Sequence, residues 1–561
     1  MKLKKSGAIL TALCLGFTAV GAAACSTGGG SDSKKTTVIE FANFQGCAGD
    51  EWIKAAAARF TELKKETSYE DGKTGVKINV TNLKAIPYDS LNSSGYDIFI
   101  GENKANIYEM SSAGYLLDLS EVVEGIEDAI DTDAIKRLKG SDGKYYGLPS
   151  YEWYTGVSYD QDFFDEENLY FAAPDTASRT VTSKFGSAKF IASESDKKSC
   201  GPDGVYGTYD DGLPSSLQEF LILCNTIKTE GGRAPFTIAG ASLDYAFFLV
   251  DGLWASLAGA DQIKTIYSLD SKGAQIVEVV TGYTDEDLFY SGSGIKRPVT
   301  ETIAINDENG YKIYDMASRY YALAALQVIY KEGWFSEYEF NRGTLTNLTA
   351  QSNFISNKTS GMLYDASYWC SESERSGNFQ AYRDKNPDKP DRNVSYMPMP
   401  VTLETSVTEG NGRKQALLDV GSAQLFVNKR VETNAGKKAA VIDLLKFLYS
   451  EAELAAFTES TGLMLPVSYE YDDTQLNDYF KKLSTIRNDS EVVYYASDSN
   501  VFLKNMEAFS LTWSGAVNRP VINNTEIGKG FIVAMRDYKA DAQTIFNATR
   551  KSEAQWATLQ K

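Results

Sequence analysis

The chain contains no histidine. That removes Ser-His and Cys-His nucleophile systems and every His-ligated zinc or iron site; enzymes that work through carboxylates alone remain open. Basic residues are outnumbered, 56 Lys and Arg against 75 Asp and Glu, and the net charge of -19 disfavours binding to nucleic acid. Cysteine is scarce, 6 in 561 residues. Cys47, Cys200, Cys224 and Cys370 form no CxxC pair; two disulfides are open on count alone, but the irregular spacing gives no framework, so buried free thiols are expected. Beyond the N-terminus no segment approaches ~20 consecutive apolar residues, and no membrane span is expected. Internal repeats are also missing, which argues against a repeat-built adhesin.

What is present begins with Lys2, Lys4 and Lys5, an apolar stretch from Ala8 to Val20 and the small residues Gly21-Ala22-Ala23-Ala24. This is the layout of a secretory signal peptide over 1–24, too short to cross a ~30 Å hydrocarbon core. Small residues running into Cys25 resemble the lipobox of bacterial lipoproteins, in which the cysteine is acylated; Ala22 stands where leucine is usual. The Gly/Ser-rich run from Ser26 to Lys35 then reads as a flexible tether over 25–36. The competing reading is an ordinary secreted protein in which Cys25 is incidental.

The remaining length exceeds the ~250 to 300 residues at which one core stops growing, so two or more lobes are expected. Thr37 to Phe41 reads as a strand, Asp50 as a helix cap, and Trp52, Ala56, Phe60 and Leu63 recur at helical spacing. Val76, Ile78 and Val80 alternate with polar residues, and Tyr96 to Ile100 reads as a buried strand followed by a polar turn. A βαβ start favours a parallel sheet covered by helices.

Several motifs then appear in order: Ala113-Gly114-Tyr115-Leu116; Asp142-Gly143-Lys144-Tyr145-Tyr146-Gly147-Leu148-Pro149; Thr155-Gly156-Val157-Ser158-Tyr159-Asp160; Asn357 to Leu363 with Tyr368-Trp369; Tyr396-Met397-Pro398-Met399-Pro400; and Phe457 to Val467 through Thr461-Gly462-Leu463. The succession resembles the family 1 extracellular solute-binding proteins, the maltodextrin-binding type. The chain departs from it by extra length between Asp165 and Pro214.

The resemblance implies an α/β fold of two lobes, each a mostly parallel sheet flanked by helices, joined by a multi-strand hinge. Crossings are expected near Tyr154, Pro400 and Pro466, giving lobe 1 from 37–154 and 400–466 and lobe 2 from 155–399 and 467–561. It also implies a carbohydrate ligand, an oligosaccharide, passed to the permease subunits of an ABC transporter by a protein anchored on the outer face of the bacterial cytoplasmic membrane. No catalytic residue and no required cofactor are expected.

Sugars stack C–H faces on aromatic rings and need hydrogen-bond partners for buried hydroxyls. Where the family places ligand contacts, the chain offers Asn43 and Gln45, Glu102 and Asn103, Glu152, Trp153 and Tyr154, and on the second lobe Trp254, Asp365, Tyr368, Trp369 and Trp513. Trp254 reads equally as helix core, Asn43 and Gln45 could cap helices, and three consecutive residues cannot all face one cleft. The Gly-rich stretch from Cys200 to Pro214 carries Asp203, Asp210 and Asp211; it reads first as a turn before a helix starting near Ser215, and second as an oxygen-ligand site for structural calcium. Its spacing is not that of an EF-hand loop. The alternatives to sugar capture are a peptide or other small solute on the same fold, and a carboxylate-dependent glycosidase.

Replacing Cys25 by serine is expected to release the protein from membrane fractions. A variant that stays membrane-bound with an unmodified N-terminus overturns the lipobox reading.

Overall fold

The computed structural model describes residues 35–101, 106–410, 412–421, 423–512, 518–528 and 530–561. Strand β1 (Thr37–Phe44) leads through the helix Glu51–Leu63 to β2 (Val76–Leu83), and the two strands pair in parallel from Thr37 opposite Val76 to Phe44 opposite Leu83. The helix buries Ile53, Ala56, Ala57 and Phe60, an i, i+3, i+4, i+7 stripe. The stripe therefore lies one residue away from the expected start at Trp52, and Leu63 is 63% exposed. Asp50 precedes the helix without capping it, because its carboxylate is taken by the Asn82 amide and by Lys54.

Strand β3 (Ile98–Gly101) pairs in parallel with the other side of β1. The helix Ile107–Ser112 follows, capped by the Asn106 side chain and closed where Gly114 takes a positive φ of 74°. After β4 (Gly147–Pro149) and β5 (Val157–Asp160) come the hairpin β6 (Ser178–Ser183) and β7 (Gly186–Ile191), the helix Leu217–Thr229 and β8 (Ala234–Thr237). The helix begins on a capping box of Ser216 and Glu219. The helix Ala246–Ala258, the hairpin β9 (Val277–Asp287) and β10 (Lys296–Ile303), the helix Ala317–Lys331, β11 (Ser360–Leu363), the helix Trp369–Arg375 and β12 (Val394–Met397) complete the middle of the chain. Then come β13 (Ala416–Asp419), β14 (Gln424–Val427), the helices Ala435–Leu448, Glu451–Thr461 and Asp478–Asp489, and β15 (Glu491–Tyr494).

Two sheets form two lobes, in strand orders β2-β1-β3-β14-β4 and β12-β5-β11-β8. In each, one strand runs against the rest: β14 is antiparallel to β3 and β4, and β5 is antiparallel to β11 and β12. Both reversed strands are the first to enter their sheet after the chain crosses from the other lobe. A strand that returns through a helix re-enters in parallel, whereas one that arrives directly from the hinge enters from the opposite end.

The crossing segments lie side by side. The N–H of Ser150 donates to Ala423 O (2.9 Å), that of Glu152 to Met464 O (2.8 Å) and that of Thr155 to Leu418 O (3.1 Å). The return crossing comes at 416–423 rather than near Pro400, because 401–410 stays bound to the second lobe: Leu217 and Gln218 donate to Thr402 and Leu403 carbonyls, and Gly410 donates to Gly204 O. The four described cysteines are free and buried.

Glu152 fixes this junction. Its fully buried carboxylate takes a two-pronged ion pair from Arg487 (3.0 and 3.1 Å), a hydrogen bond from Tyr494 (2.6 Å) and a short one from Tyr154. Removing one member of such a network strands the others. Glu152→Ala is expected to lower unfolding stability by ~3 kcal/mol, read as a fall in the denaturant midpoint, with Glu152→Gln recovering part. An unchanged midpoint in Glu152→Ala would sink this role.

Candidate functional site

The site is built where the two lobes touch. After β1 the chain turns tightly, held by Asn43, whose buried amide donates to Phe44 O (2.9 Å), Gly49 O (3.0 Å) and Asn82 Oδ1 (3.1 Å). Asn43 is thereby committed to shaping the loop, while Gln45 on the same loop is exposed. Cys47 sits at a positive φ of 51°, and its N–H crosses to Glu372 Oε1 (3.0 Å) on the helix Trp369–Arg375. Gly49, at φ 71°, packs so close to Arg375 that a Cβ would lie 2.5 Å from its Nε. A loop of one lobe thus seats against a helix of the other.

Behind this contact, Gln351 donates to Asp365 (2.8 Å) and to Glu372 (3.4 Å). Burial pushes both carboxyls up, and the proximity of Glu372 raises Asp365 further. Beside Asp365 stands an aromatic corner. Trp153, 7% exposed, meets Tyr368, 9% exposed, edge to face at 5.7 Å, and Phe248 at 5.9 Å; Tyr245 meets Phe248 at 5.0 Å. The Trp153 indole donates to Gly421 O (2.8 Å), which fixes the ring to the hinge.

Other sequence candidates are placed elsewhere. Trp254 is core of its helix, its indole N–H directed at the Met316 sulfur (3.4 Å). Trp369 is core as well: it donates to Ser158 Oγ (2.8 Å) and stacks on Phe379, so the pair Tyr368-Trp369 splits between seam and interior. Glu152 and Tyr154 belong to the buried hinge network. Glu102, Asn103, Trp513 and the lipidation candidate Cys25 lie outside the described residues.

Next to the aromatic corner a cavity of about 490 Å³ opens between the lobes. One lobe contributes Glu51, Trp52, Arg59, Phe457 and Thr461; Ser371, Glu374 and Arg375 face them from the helix Trp369–Arg375. Trp52 packs edge-on against Phe457 (4.9 Å). Its indole N–H is buried and has no hydrogen-bond partner among the described residues. Arg59 is paired with Glu453 (2.6 Å), which leaves no unmatched cation there from that pair. Sequence reasoning read Trp52 as helix core and did not single out Phe457 as a contact. The available signal was a tryptophan in the first turn of a helix, directly after the loop that crosses to the other lobe.

The arrangement has counterparts among solved structures. The chain superposes on a chitin oligosaccharide binding protein with a TM-score of 0.54 at 14% identity, covering 93% of this chain and 100% of that one. It superposes on maltose-bound MalE3 of T. maritima with a TM-score of 0.52 at 13% identity, covering 93% and 100%. With the GacH receptor of Streptomyces glaucescens, solved unliganded and with acarbose, the TM-score is 0.51 at 12% identity, covering 93% and 98%. The fold is that of the two-lobed solute receptors. No protein-family model and no curated protein sequence matches the chain.

On this receptor fold the turn from Asp203 to Asp211 is an outlying feature held by its own hydrogen bonds. Asp203 accepts from Val205 N (2.7 Å), Asp210 from Asp203 N (2.9 Å) and the Thr208 hydroxyl (2.9 Å), and Asp211 from Gly207 N (2.8 Å). Among the described residues no three His, Cys, Asp or Glu side chains converge as a metal site. Burial, with the charge of Asp203 beside it, pushes the Asp210 carboxyl up to about 8. A carboxyl raised in the folded state contributes stability that is present below its unfolded pKa of ~3.9 and is lost as pH rises through the folded value. Asp210→Asn is neutral throughout, so the melting temperature of the wild type minus that of the variant should fall between pH 5 and pH 8. A difference independent of pH removes the buried-acid reading.

Proposed function

We propose that this chain is an exported, lipid-anchored solute-binding protein that captures an oligosaccharide between its lobes and delivers it to an ABC transporter. The observation that carries the reading is the interlobe cavity of about 490 Å³, walled by side chains from both lobes. A ligand there gains contacts from the second lobe only when the lobes are together, and such differential affinity is what shifts a population toward closure. Interlobe clefts also bury most of a small molecule's surface.

The walls combine apolar rings with polar groups, which suits a polyhydroxy ligand. Trp52 and Phe457 supply flat apolar faces in the wall, and the corner formed by Trp153 and Tyr368 stands elsewhere along the seam. The unpartnered Trp52 N–H calls for an acceptor, because a buried donor left unsatisfied costs ~1–3 kcal/mol. Arg59 is already matched by Glu453, and Glu374 by Arg383 (2.9 Å). The receptors that share the fold are described with chitin oligosaccharide, maltose and acarbose, which supports the same class here. Capture without turnover fits a chain that has no histidine. The signal-peptide layout and the small residues before Cys25 support export and anchoring.

Thermal-shift screening against oligosaccharides and peptides identifies the ligand class, since a ligand that binds only the folded state raises its apparent stability. With a sugar hit, Trp52→Ala, Trp153→Ala and Tyr368→Ala are titrated calorimetrically while scattering follows the radius of gyration. At least one variant should lose about thirtyfold in affinity, or ~2 kcal/mol, and saturation should shrink the wild type. Stabilisation by peptides alone, or unchanged sugar affinity in all three folded variants, overturns the proposal.

A further inference from the structure

A second cavity lies between the lobes, on the other face of the hinge. Along the first crossing, Tyr151 and Trp153 point to one side, and Tyr151 stacks on Phe457 (6.0 Å), which walls the cleft cavity. Glu152 points to the other side and binds Arg487, whose side chain lines a separate cavity of about 450 Å³. Leu465, on the third crossing, borders both spaces.

The two walls of this cavity belong to different lobes. Tyr469, Glu470 and Tyr471 form one wall, on a segment bonded to the first lobe. There Ser468 N donates to Ala129 O (2.7 Å), Asp472 N donates to Glu459 Oε1 (2.9 Å), and the Tyr469 hydroxyl is bonded to that of Thr458. Lys481, Ser484 and Arg487 form the other wall, on the helix Asp478–Asp489. That helix is seated on the second lobe, where the Tyr479 hydroxyl meets Ser158 Oγ (3.1 Å) and Lys482 donates to Gln161 and Asn393 (2.6 Å each). A hydrogen bond between the Tyr471 and Ser484 hydroxyls joins the walls.

The wall chemistry selects the occupant. Glu470 and Asp473 are matched in number by Lys481 and Arg487, so the lining side chains carry no net charge that calls for an ion. The hydroxyls of Ser468, Thr485 and the two tyrosines, with the Asn488 amide, supply donors and acceptors, and the tyrosine rings supply apolar faces. The volume falls within the ~300–1,000 Å³ of small-molecule sites. Position gives the consequence. In this structure the lobes touch on the cleft side, where Cys47 N is bonded to Glu372 across the seam. Rotation about the crossings that parts the cleft brings the opposite walls together, so an occupant filling the second cavity resists opening.

We propose that this cavity is a regulatory site for a neutral polyhydroxy compound, a monosaccharide or a cyclitol, which wedges the hinge from behind and holds the lobes closed. The site is separate from the cleft and does not depend on which solute the cleft takes. By linkage, its occupant and the cleft ligand raise each other's affinity.

The test is calorimetric titration of the mature protein with glucose and myo-inositol, with sodium sulfate and glycine as controls. A polyol should bind with a Kd of about 1 mM or tighter. Thr485→Trp, which fills the cavity from an exposed helix position, should weaken that binding about tenfold or more, and Trp52→Ala in the cleft should leave it unchanged. Scattering of Trp52→Ala should show a smaller radius of gyration with the polyol bound. If Thr485→Trp does not fold, Asn488→Trp, exposed one turn further along the helix, carries the same comparison. No polyol binding, binding of sulfate or glycine instead, full binding in the folded tryptophan variant, or a radius that does not fall overturns the site. Binding lost in Trp52→Ala alone puts the sugar in the cleft, which upholds the function proposed above while overturning this inference.

Discussion

Glu152 stands on the crossing segment between the two sheets, and its carboxylate is bound by groups from elsewhere in the chain, Arg487 and Tyr494. The backbone around it is shared in the same way: residue 152 donates to Met464 and residue 155 to Leu418. A carboxylate removed from water tolerates little displacement of its partners, since each bond lost inside costs more than it would at the surface. The three crossings are therefore held as one unit. Trp153, between Glu152 and Tyr154, has its ring aimed the other way and pinned to Gly421 O. Alternation along an extended segment puts the ion-pair network on one side and the Trp153 ring on the other.

The same alternation explains which parts of the molecule were legible in the sequence. Strand and helix existence followed from period and punctuation: β1, β2 and their helix, the stop at Gly114, and the Ser216 start all carry local signals that tertiary packing did not need to override. Exact faces were less legible. The stripe on Glu51–Leu63 centres on Ile53 and Ala57 because that side meets the sheet, which frees Trp52 to lie at the seam and leaves Leu63 in solvent. Nothing within the helix distinguishes these two registers. The late return crossing has a similar cause: Pro400 marks a strand end, but the backbone that follows stays paired with Ser215 to Gln218, a contact between residues distant in sequence.

Candidate ligand residues divide along a line that composition cannot draw. Trp254, Trp369 and Trp153 are all largely buried tryptophans with a bonded indole N–H. Two of them bond within the second lobe's own interior, to Met316 and Ser158, whereas Trp153 bonds to the hinge and meets Tyr368 across it. A ring whose neighbours all belong to one packing unit is core; a ring whose neighbours come from two units marks the seam between them. Asn43 shows the polar version of the point, since its amide is spent on three local acceptors and shapes the loop that reaches the other lobe.

Polar groups left without partners are the complementary signal, because a folded chain rarely buries a donor or acceptor unmatched. Trp52 Nε1, at the cavity, is such a group among the described residues. The indole borders a space that both lobes wall and has no acceptor there among the described residues. The missing partner there is an acceptor rather than a donor.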